Sequence, residues 1–448
     1  MTTFLVFSDD WGRHPSSCQH LARCLMTRAA HRIIWVNTIG TRPPGFNLLT
    51  LKRGFQKIAS WLSVSQKGTA SPRSCELLNS AQNSEPTPQI LQPFMIPWFR
   101  SRFDRWLNQH LLSHQLNRAL EREKDVIAIT TLPITADLPG SLANVKRWVY
   151  YCVDDWSRWP GMDAEPLAKM EADLLKRVEK VVTAGENLRD RLKAMGRESL
   201  LLTHGVDPDF WMVPSVQTLP TNPSDLTPDL TPDLTPDADS GRELTRGLPH
   251  PIFAFWGLID ERLEPEMIEK LAQDAPNSSI LLAGPIAVPS VAMRLERLPN
   301  VKLLGRLPYE KLPVLASEAD VLLMPYRKNE ATEQIQPLKM TEYLASGKPA
   351  VVRDLRAAFG WADALDVAIS PETFSELAQL RARTGLPNSQ RLARKRLSAE
   401  TWEQKAFQFE KFILADDRKS GADQEFHHAS AARPNPVSHE NQKSFTNP

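Results

Sequence analysis

The fold of this chain is decided by one stretch, Asp320-Val-Leu-Leu-Met-Pro-Tyr-Arg-Lys-Asn-Glu-Ala-Thr-Glu-Gln-Ile-Gln-Pro-Leu-Lys-Met-Thr-Glu-Tyr-Leu-Ala-Ser-Gly-Lys-Pro-Ala-Val-Val352. Two apolar runs of strand length, Val321–Met324 and Ala350–Val352, lie on either side of a polar loop and a short helical segment. Pro337 suits the first position of a helix, and Gly347 is typical of a helix end. The stretch therefore predicts strand, loop, helix and strand, the unit from which parallel α/β sheets are built.

The predicted helix begins with groups that suit a nucleoside diphosphate. A helix N-terminus at the carboxyl end of a strand presents N–H groups and partial positive charge to a phosphate. Lys339 adds a full charge there, and Glu342, about one turn deeper, is placed to accept hydrogen bonds from ribose hydroxyls. The predicted site also includes Gln334, Pro337 and Leu338. The alternative interpretation is a helix packed on a sheet whose polar first turn faces only water.

The segment Pro337-Leu-Lys-Met-Thr-Glu-Tyr-Leu-Ala-Ser-Gly-Lys-Pro349 resembles the nucleotide-sugar motif of bacterial group 1 glycosyltransferases with the GT-B fold, in particular the teichuronic-acid-type transferases. In the broader retaining family two glutamates sit eight residues apart around this helix. Glu342 matches the second, whereas Gln334 takes the place of the first and is preceded by Glu333. The resemblance implies an α/β fold of two Rossmann-like domains with an interdomain cleft, a nucleoside diphosphate sugar as substrate and no cofactor.

Apolar runs of strand length alternate with helical stretches in both halves of the chain, which predicts one parallel sheet in each half. In the first half the predicted strands lie at Phe4–Phe7, Ile33–Val36, Val126–Ile129, Trp148–Val153, Val181–Thr183 and Leu200–Leu202. In the second half they lie at Ile252–Phe255, Ile280–Ala283, Val301–Leu304, Val321–Met324 and Ala350–Val352.

Composition along the chain predicts the domain boundaries. An acceptor-side domain is expected at 1–213, with an irregular loop at 67–97, and a nucleotide-sugar-binding domain at 250–397. The intervening segment contains a tandem Leu-Thr-Pro-Asp repeat, whose prolines block helices and ladders, so it is predicted to be a disordered linker insertion. The remaining predicted segments are that linker at 214–249, a C-terminal helix at 398–417, which the resemblance implies crosses back onto the first domain, and a disordered tail at 418–448.

The bulk composition excludes several classes of protein. A net charge of +1 on 448 residues gives no general attraction to nucleic acid. The four cysteines lack a Cys-x-x-Cys spacing, and His110 and His114 have no nearby acidic partner, so no metal site is predicted. No apolar run approaches the roughly 20 residues that span a bilayer, and Met1–Ser8 lacks the basic start of a signal peptide. A cytoplasmic protein is expected, either free or peripheral at the inner face of the membrane.

Two places in the first half predict chemistry on the acceptor side. The loop after the first strand contains Gly12, which permits close backbone approach, Arg13, which suits an anion, and His14, which suits acid–base work. This loop is similar to one that faces the cleft in the same transferases. Asp154 and Asp155 end a later strand, and the resemblance implies that acids there serve the acceptor hydroxyl. The predicted catalytic residues are therefore His14, Asp154 and Asp155, while Gly12 and Arg13 are assigned to donor binding.

The first loop of the second half departs from the family pattern. Many relatives carry an arginine and a lysine just after the glycine that corresponds to Gly257. Here Ile259–Glu261 interrupts that pattern and displaces the cation to Arg262, so the phosphate charge is assigned to Lys339 and Arg327. Two further segments match family landmarks, Leu282-Ala-Gly-Pro285 and Leu304-Gly-Arg-Leu-Pro308.

The segment 98–107 mixes aromatic residues with arginines. Trp98, Phe103 and Trp106 alternate with Arg100, Arg102 and Arg105, a composition that suits contact with a membrane surface. The alternative is a helix packed on its own domain.

The sequence thus predicts a glycosyltransferase that moves a sugar from a nucleoside diphosphate sugar to a hydroxyl of a surface glycan or a lipid-linked acceptor. Retention of configuration is implied by the resemblance, and no metal is required because helix dipoles and cations stabilise the leaving diphosphate. The alternatives are a nucleotide-sugar epimerase of the same fold and a catalytically inactive scaffold.

Overall fold

The computed structural model describes residues 1–12, 16–37, 86–158, 162–212, 244–333 and 336–415. Within these ranges the chain forms two parallel sheets, with helices between most successive strands. The sequence predictions for Arg13, His14, Gln334, most of the linker insertion and the tail lie outside the described residues, as does most of the predicted loop at 67–97.

The first sheet has seven strands in the order β3-β2-β1-β4-β5-β6-β7, and its neighbouring strands run parallel. The strand at its centre, β1, pairs with β2 on one side and β4 on the other. Its strands are β1 (Thr3–Phe7), β2 (Arg32–Val36), β3 (Gln89–Leu91), β4 (Val126–Thr130), β5 (Val145–Cys152), β6 (Lys180–Thr183) and β7 (Leu200–Leu201).

The second sheet has six parallel strands in the order β10-β9-β8-β11-β12-β13. Strand order therefore reverses between β1 and β4 in the first sheet and between β8 and β11 in the second, and such switch points form ligand crevices. Its strands are β8 (Ile252–Trp256), β9 (Ser279–Ala283), β10 (Val301–Gly305), β11 (Val321–Met324), β12 (Ala350–Arg353) and β13 (Asp366–Ala368).

The central strands are apolar along their whole length, as expected of a parallel sheet that is buried on both faces. All residues of β1, β8 and β11 are buried. The α-helices are α1 (Ser17–Ala29), α2 (Arg102–Ala119), α3 (Ala164–Arg177), α4 (Glu186–Ala194), α5 (Pro208–Trp211), α6 (Pro265–Asp274), α7 (Pro289–Leu295), α8 (Leu312–Glu318), α9 (Glu330–Glu333), α10 (Leu338–Ala345), α11 (Arg356–Phe359), α12 (Pro371–Thr384), α13 (Asn388–Ala393) and α14 (Trp402–Leu414).

The predicted two-domain α/β fold is confirmed, and every predicted strand is present. Two edge strands were not predicted. Within the described part of the predicted irregular loop, Gln89–Leu91 forms β3 and pairs with β2 alone, and β13 likewise pairs only with β12. Each has three residues, so neither produces the apolar run that marks a buried strand.

Helix α14 packs against the first sheet and its surroundings. The rings of Phe409 and Tyr151 lie 5.7 Å apart, and the Glu410 carboxylate is 2.9 Å from the imidazole Nε2 of His31. Lys180 donates to the carbonyl of Phe412 at 2.8 Å. The helix that follows the second sheet in sequence thus contacts residues that precede it.

Candidate functional site

A cleft of about 720 Å³ opens at the carboxyl ends of the second sheet. Its floor is formed by residues that follow β8 and β9, and one wall is formed by the first turns of α10. Gly12, Gln19 and Arg23 of the first half line the opposite side. The cleft therefore lies at the switch point of the second sheet, where a parallel α/β sheet binds ligands.

Two glycines give the cleft a floor of bare backbone. Gly257 and Gly284 have φ angles of +143° and +153°, in the region that favours glycine. The two residues touch, because a Cβ on Gly284 would lie 1.8 Å from the carbonyl oxygen of Gly257. A Cβ on Gly257 would lie 2.0 Å from the ammonium nitrogen of Lys339. The floor is thus closed to side chains, and the Lys339 cation lies directly against it.

Lys339 is fixed by aromatic groups. Its Nζ lies 4.6 Å from the ring centroid of Phe255 and 4.7 Å from that of Tyr326, and it also donates to the Tyr326 hydroxyl. Within the described ranges no carboxylate forms an ion pair with it, so its charge is available to an anionic ligand. The predicted helix start is also observed, because Pro337 is the N-cap of α10 and Lys339 lies in its first turn.

Glu342 lies beneath the cleft within an aromatic layer. Its Oε2 accepts from the Trp256 indole at 2.9 Å, and its Oε1 accepts from the Tyr309 hydroxyl at 3.1 Å. Trp256 stacks on Trp211 with ring centroids 5.2 Å apart. Burial raises the pKa of Glu342 above the ordinary value of a glutamate, and the two donors oppose that rise. A ribose hydroxyl would have to share Oε1 with Tyr309 or displace it.

The structure brings together five of the residues assigned to donor binding, and these are Gly12, Gly257, Leu338, Lys339 and Glu342. Arg327 is placed elsewhere. Its half-exposed guanidinium lies 3.7 Å from the Glu266 carboxylate, and it is not part of the cleft lining. The displaced Arg262 is bound to Asp260 at 2.9 Å. Lys339 is therefore the cation that the predicted site contributes to the cleft.

The two acids at the end of β5 differ in their surroundings. Asp155 is buried, and its Oδ1 accepts from the Ser157 hydroxyl at 2.6 Å. Its Oδ2 lies 3.2 Å from Arg158 Nε and 3.6 Å from Arg191 Nε. Asp154 is partly exposed, and its charge acts on Arg262 of the second half. Asp155 thus has partners within its own domain, and a catalytic role for either acid stays a prediction.

At the corresponding end of the first sheet, the described side chains hydrogen-bond to one another. Asp9 accepts from Ser8 at 2.9 Å, from Ser16 at 2.8 Å and from the Gln19 amide at 2.5 Å. Burial raises the pKa of Asp9, and these hydrogen bonds oppose the rise. Thr131, after β4, donates to Ser8 at 3.1 Å. The end of β1 is therefore occupied by a hydrogen-bonded cluster.

Sequence reasoning did not assign thirteen of the eighteen residues that line this cleft, and five of these thirteen bear on its chemistry. Gly284 and Arg306 lie in the two segments that were noted as family landmarks, and Tyr309 follows the second of them directly. Trp256 precedes Gly257, and its contact with Glu342 joins residues far apart in the chain. Arg23 lies on the exposed side of α1, and nothing in the sequence around it indicates a ligand.

Comparison with known proteins bears on the family and the fold. Residues 262–379 match the family model described as Glycosyl transferases group 1. A stretch of 116 residues is 32% identical to TuaH of Bacillus subtilis (strain 168), which is named for glycosyl transfer in teichuronic acid biosynthesis. That stretch covers 25% of this chain and spans 29% of the length of TuaH.

Solved structures match over almost the whole chain. Sucrose-phosphate synthase from Thermosynechococcus elongatus superposes with a TM-score of 0.61 at 13% identity, over 92% of this chain and 98% of that one. Anabaena HepE, in complex with UDP and glucose, gives a TM-score of 0.59 at 12% identity, over 93% and 100% of the two chains. At such identities these structures establish the fold.

The molecule is thus a two-domain α/β protein with the GT-B fold. Its second half carries a group 1 glycosyltransferase domain, and the predicted resemblance to bacterial glycosyltransferases is confirmed. In the part of the chain that the structure describes, no helix is long and apolar enough to cross a bilayer.

Proposed function

We propose that this protein transfers a sugar from a nucleoside diphosphate sugar to a hydroxyl acceptor in the synthesis of a cell-surface polysaccharide or glycolipid. The observation that carries the proposal is the Lys339 ammonium, held against the backbone of Gly257 in an open cleft. HepE, which shares the fold, is described with UDP and glucose, and TuaH is named for glycosyl transfer in teichuronic acid biosynthesis.

The diphosphate of the donor would lie along the glycine floor. Lys339 and Arg306 line the cleft, and Arg23 faces them from the first half. During transfer the bond between the anomeric carbon and the phosphate oxygen breaks, and negative charge grows on the departing diphosphate. Fixed cations aimed at that charge stabilise the transition state without a metal.

The acceptor would approach from the first half. Its oxygen forms the new bond to the anomeric carbon, and its proton passes to the departing phosphate or to a base, for which His14 and Asp154 are the proposed candidates. We propose that the configuration of the donor sugar is retained and that the acceptor is lipid-linked or a growing glycan, presented at the inner face of the membrane.

Incubation of the purified chain with a panel of UDP-sugars and other nucleoside diphosphate sugars tests the proposal. Release of free nucleoside diphosphate, followed by chromatography, is expected from a transferase through slow donor hydrolysis. A converted sugar nucleotide would identify an epimerase, and binding without turnover a scaffold. Either outcome would overturn the proposal.

A matched pair of variants ties the turnover to the cleft. Lys339→Ala is expected to lower the rate of diphosphate release by about tenfold or more, since a charge-assisted hydrogen bond contributes roughly 1.5–3 kcal/mol. Arg327→Ala removes a cation outside the cleft lining and is expected to leave the rate close to wild type.

A further inference from the structure

One helix of the first half exposes a row of aromatic residues. Phe103 and Trp106 on α2 are 66% and 51% exposed, and the adjacent Trp98 is 54% exposed. Further along the same face lie His110 and His114, both exposed. The positions on the helix recur every three or four residues, which is the spacing of one face. We refer to Trp98, Phe103, Trp106, His110 and His114 as the aromatic stripe.

Contacts between neighbours hold the aromatic stripe together. The rings of Phe103 and Trp106 lie 5.8 Å apart and are stacked, and those of Trp106 and His110 lie 4.4 Å apart. The His110 Nδ1 lies 2.8 Å from the carbonyl oxygen of Trp106. The stripe is therefore an ordered surface along one helix.

The other faces of α2 are fixed to the domain. Leu112 and Leu116 are buried in the core of the first half. A capping box between Ser101 and Asp104 closes the N-terminus of the helix. Arg105 binds Asp137 at 2.8 Å and Asp173 at 3.0 Å. These contacts hold the helix so that the aromatic stripe faces outward.

The exposed charges of the segment that carries the aromatic stripe are positive, and one of them, Arg100, is paired with Asp163 of another element. Each exposed residue from Trp98 to Arg118 is aromatic, histidine, arginine or serine, and none is acidic, within this fully described segment. Arg102 and Arg118 lie at the two ends of the helix face. Asp104, the acid of the capping box, is only partly exposed. The exposed part of this segment is thus apolar along its centre with an arginine near each end, and the exposed Glu121 lies just beyond Arg118.

We propose that the aromatic stripe lies in the headgroup region of an anionic lipid bilayer, with α2 parallel to the membrane plane. Aromatic rings with a polar edge favour that region, and arginines gain from the negative surface potential of anionic lipids. A helix of 18 residues is about 27 Å long, so the stripe extends along the membrane rather than into it. An acidic protein is the less favoured partner, because the stripe is a ridge of exposed rings and its arginines lie only at its ends.

This surface would hold the chain at the membrane, where a lipid-linked acceptor is presented. Its biological role therefore rests on the proposed function. Lipid binding itself does not require transfer. The two proposals therefore have separate readouts, vesicle binding for the surface and diphosphate release for the function.

Sedimentation of the full chain with vesicles tests the surface. Vesicles of phosphatidylcholine with phosphatidylglycerol are expected to bind the protein, and vesicles of phosphatidylcholine alone to bind it much less. The double variant Phe103→Ala/Trp106→Ala should reduce partitioning by about tenfold or more, since two large rings no longer enter the interface. Arg102→Ala/Arg118→Ala should reduce chiefly the preference for anionic vesicles.

A double variant on the second half serves as the matched control. Phe359 and Met293 are 60% and 57% exposed there, and Phe359→Ala/Met293→Ala should leave vesicle binding unchanged. Equal binding by the stripe variant and wild type, or no binding of wild type to anionic vesicles, would overturn the membrane proposal, and the second result would favour a protein partner. Vesicle binding without diphosphate release would instead remove the proposed function and leave the surface.

Discussion

The two sheets of this protein share one topology, but the residues at the carboxyl ends of their strands differ. In both, the strand order reverses beside the first strand of the sheet. Each sheet therefore has a crevice at this point, the first crevice between β1 and β4 and the second crevice between β8 and β11. In the first sheet Asp9 lies at the end of β1 and is surrounded by its hydrogen-bond donors. In the second sheet the crevice is lined by the backbone of Gly257 and Gly284, and the ammonium group of Lys339 lies against Gly257. Topology therefore provides two candidate crevices, and the side chains at the strand ends differ between them.

The largest effect is expected at the glycine contact of the second crevice. Gly284→Ala places a Cβ 1.8 Å from the carbonyl oxygen of Gly257, at a φ that alanine avoids. We expect a loss of more than about 3 kcal/mol in unfolding free energy, measured by chemical denaturation, together with loss of UDP binding.

Gly360→Ala is the control for this substitution, because its φ is −63° and its Cβ would meet nothing within 4 Å. It should be neutral or slightly stabilising. Wild-type stability and UDP affinity in Gly284→Ala would show that the glycine floor is not required, and the contrast between the crevices would disappear.

The second prediction concerns the loss of folding stability at low pH, to which two buried histidines of the first half contribute. Burial lowers the pKa of His20 and of His204 to about 4, below the ordinary value of about 6.5. The unfolded chain binds more protons than the folded chain between these values, so this stability is present above pH 6.5 and is lost as the pH falls toward 4. Protonation of each histidine should lower the unfolding free energy by roughly 3 kcal/mol as the pH falls from 6.5 to 4.

Denaturation midpoints at several pH values check this prediction. The double variant His20→Gln/His204→Gln should show a shallower loss of stability between pH 6.5 and 4 than wild type. An unchanged slope in the double variant would show that the two buried histidines are not the source.

The third prediction separates Glu342 from its donor Tyr309 in the second crevice. Glu342→Ala should weaken UDP binding by about tenfold or more, and it should also lower stability, because the Trp256 indole loses its acceptor. Tyr309→Phe frees Oε1 for a ribose hydroxyl and should leave UDP affinity equal to wild type or higher. If Tyr309→Phe loses as much affinity as Glu342→Ala, the hydroxyl itself is needed and Glu342 does not take the ribose alone.

The smallest effect is expected at the first half's buried acid. Asp155→Asn weakens the contacts with Arg158 and Arg191, so the unfolding free energy should fall by about 1–2 kcal/mol while UDP affinity stays at the wild-type value. Asp154→Asn should instead lower transfer with little loss of stability. Loss of UDP binding in either variant would place that acid in the donor site. The donor site would then include residues from the ends of both sheets.

The two crevices also differ in how much of each could be predicted from the sequence. The second crevice was predictable because its helix start, cation and acid lie within one short segment around Lys339. The engagement of Glu342 by Trp256 and Tyr309 was not, because it joins residues 86 and 33 positions apart. Adjacent Asp154 and Asp155 look equivalent in sequence, and the contacts of Asp155 with Ser157, Arg158 and Arg191 distinguish them.

Periodicity and strand length account for the rest. Buried strands were predictable from their apolar runs, whereas the three-residue edge strands Gln89–Leu91 and Asp366–Ala368 carry no such run. The basic aromatic segment 98–107 was apparent from composition. Its extension to His114 depended on knowing that α2 continues to Ala119 with that face outward.

Calorimetric titration with UDP and with uridine tests the central claim, that the phosphate site belongs to the second crevice. Three proteins suffice, and these are wild type, Lys339→Ala, and Arg23→Ala, which removes the cleft cation of the first half. We predict that Lys339→Ala weakens UDP by about tenfold or more and uridine far less, and that Arg23→Ala changes UDP by less than about threefold. Equal losses for UDP and uridine in Lys339→Ala, or a larger loss of UDP in Arg23→Ala, would contradict the account.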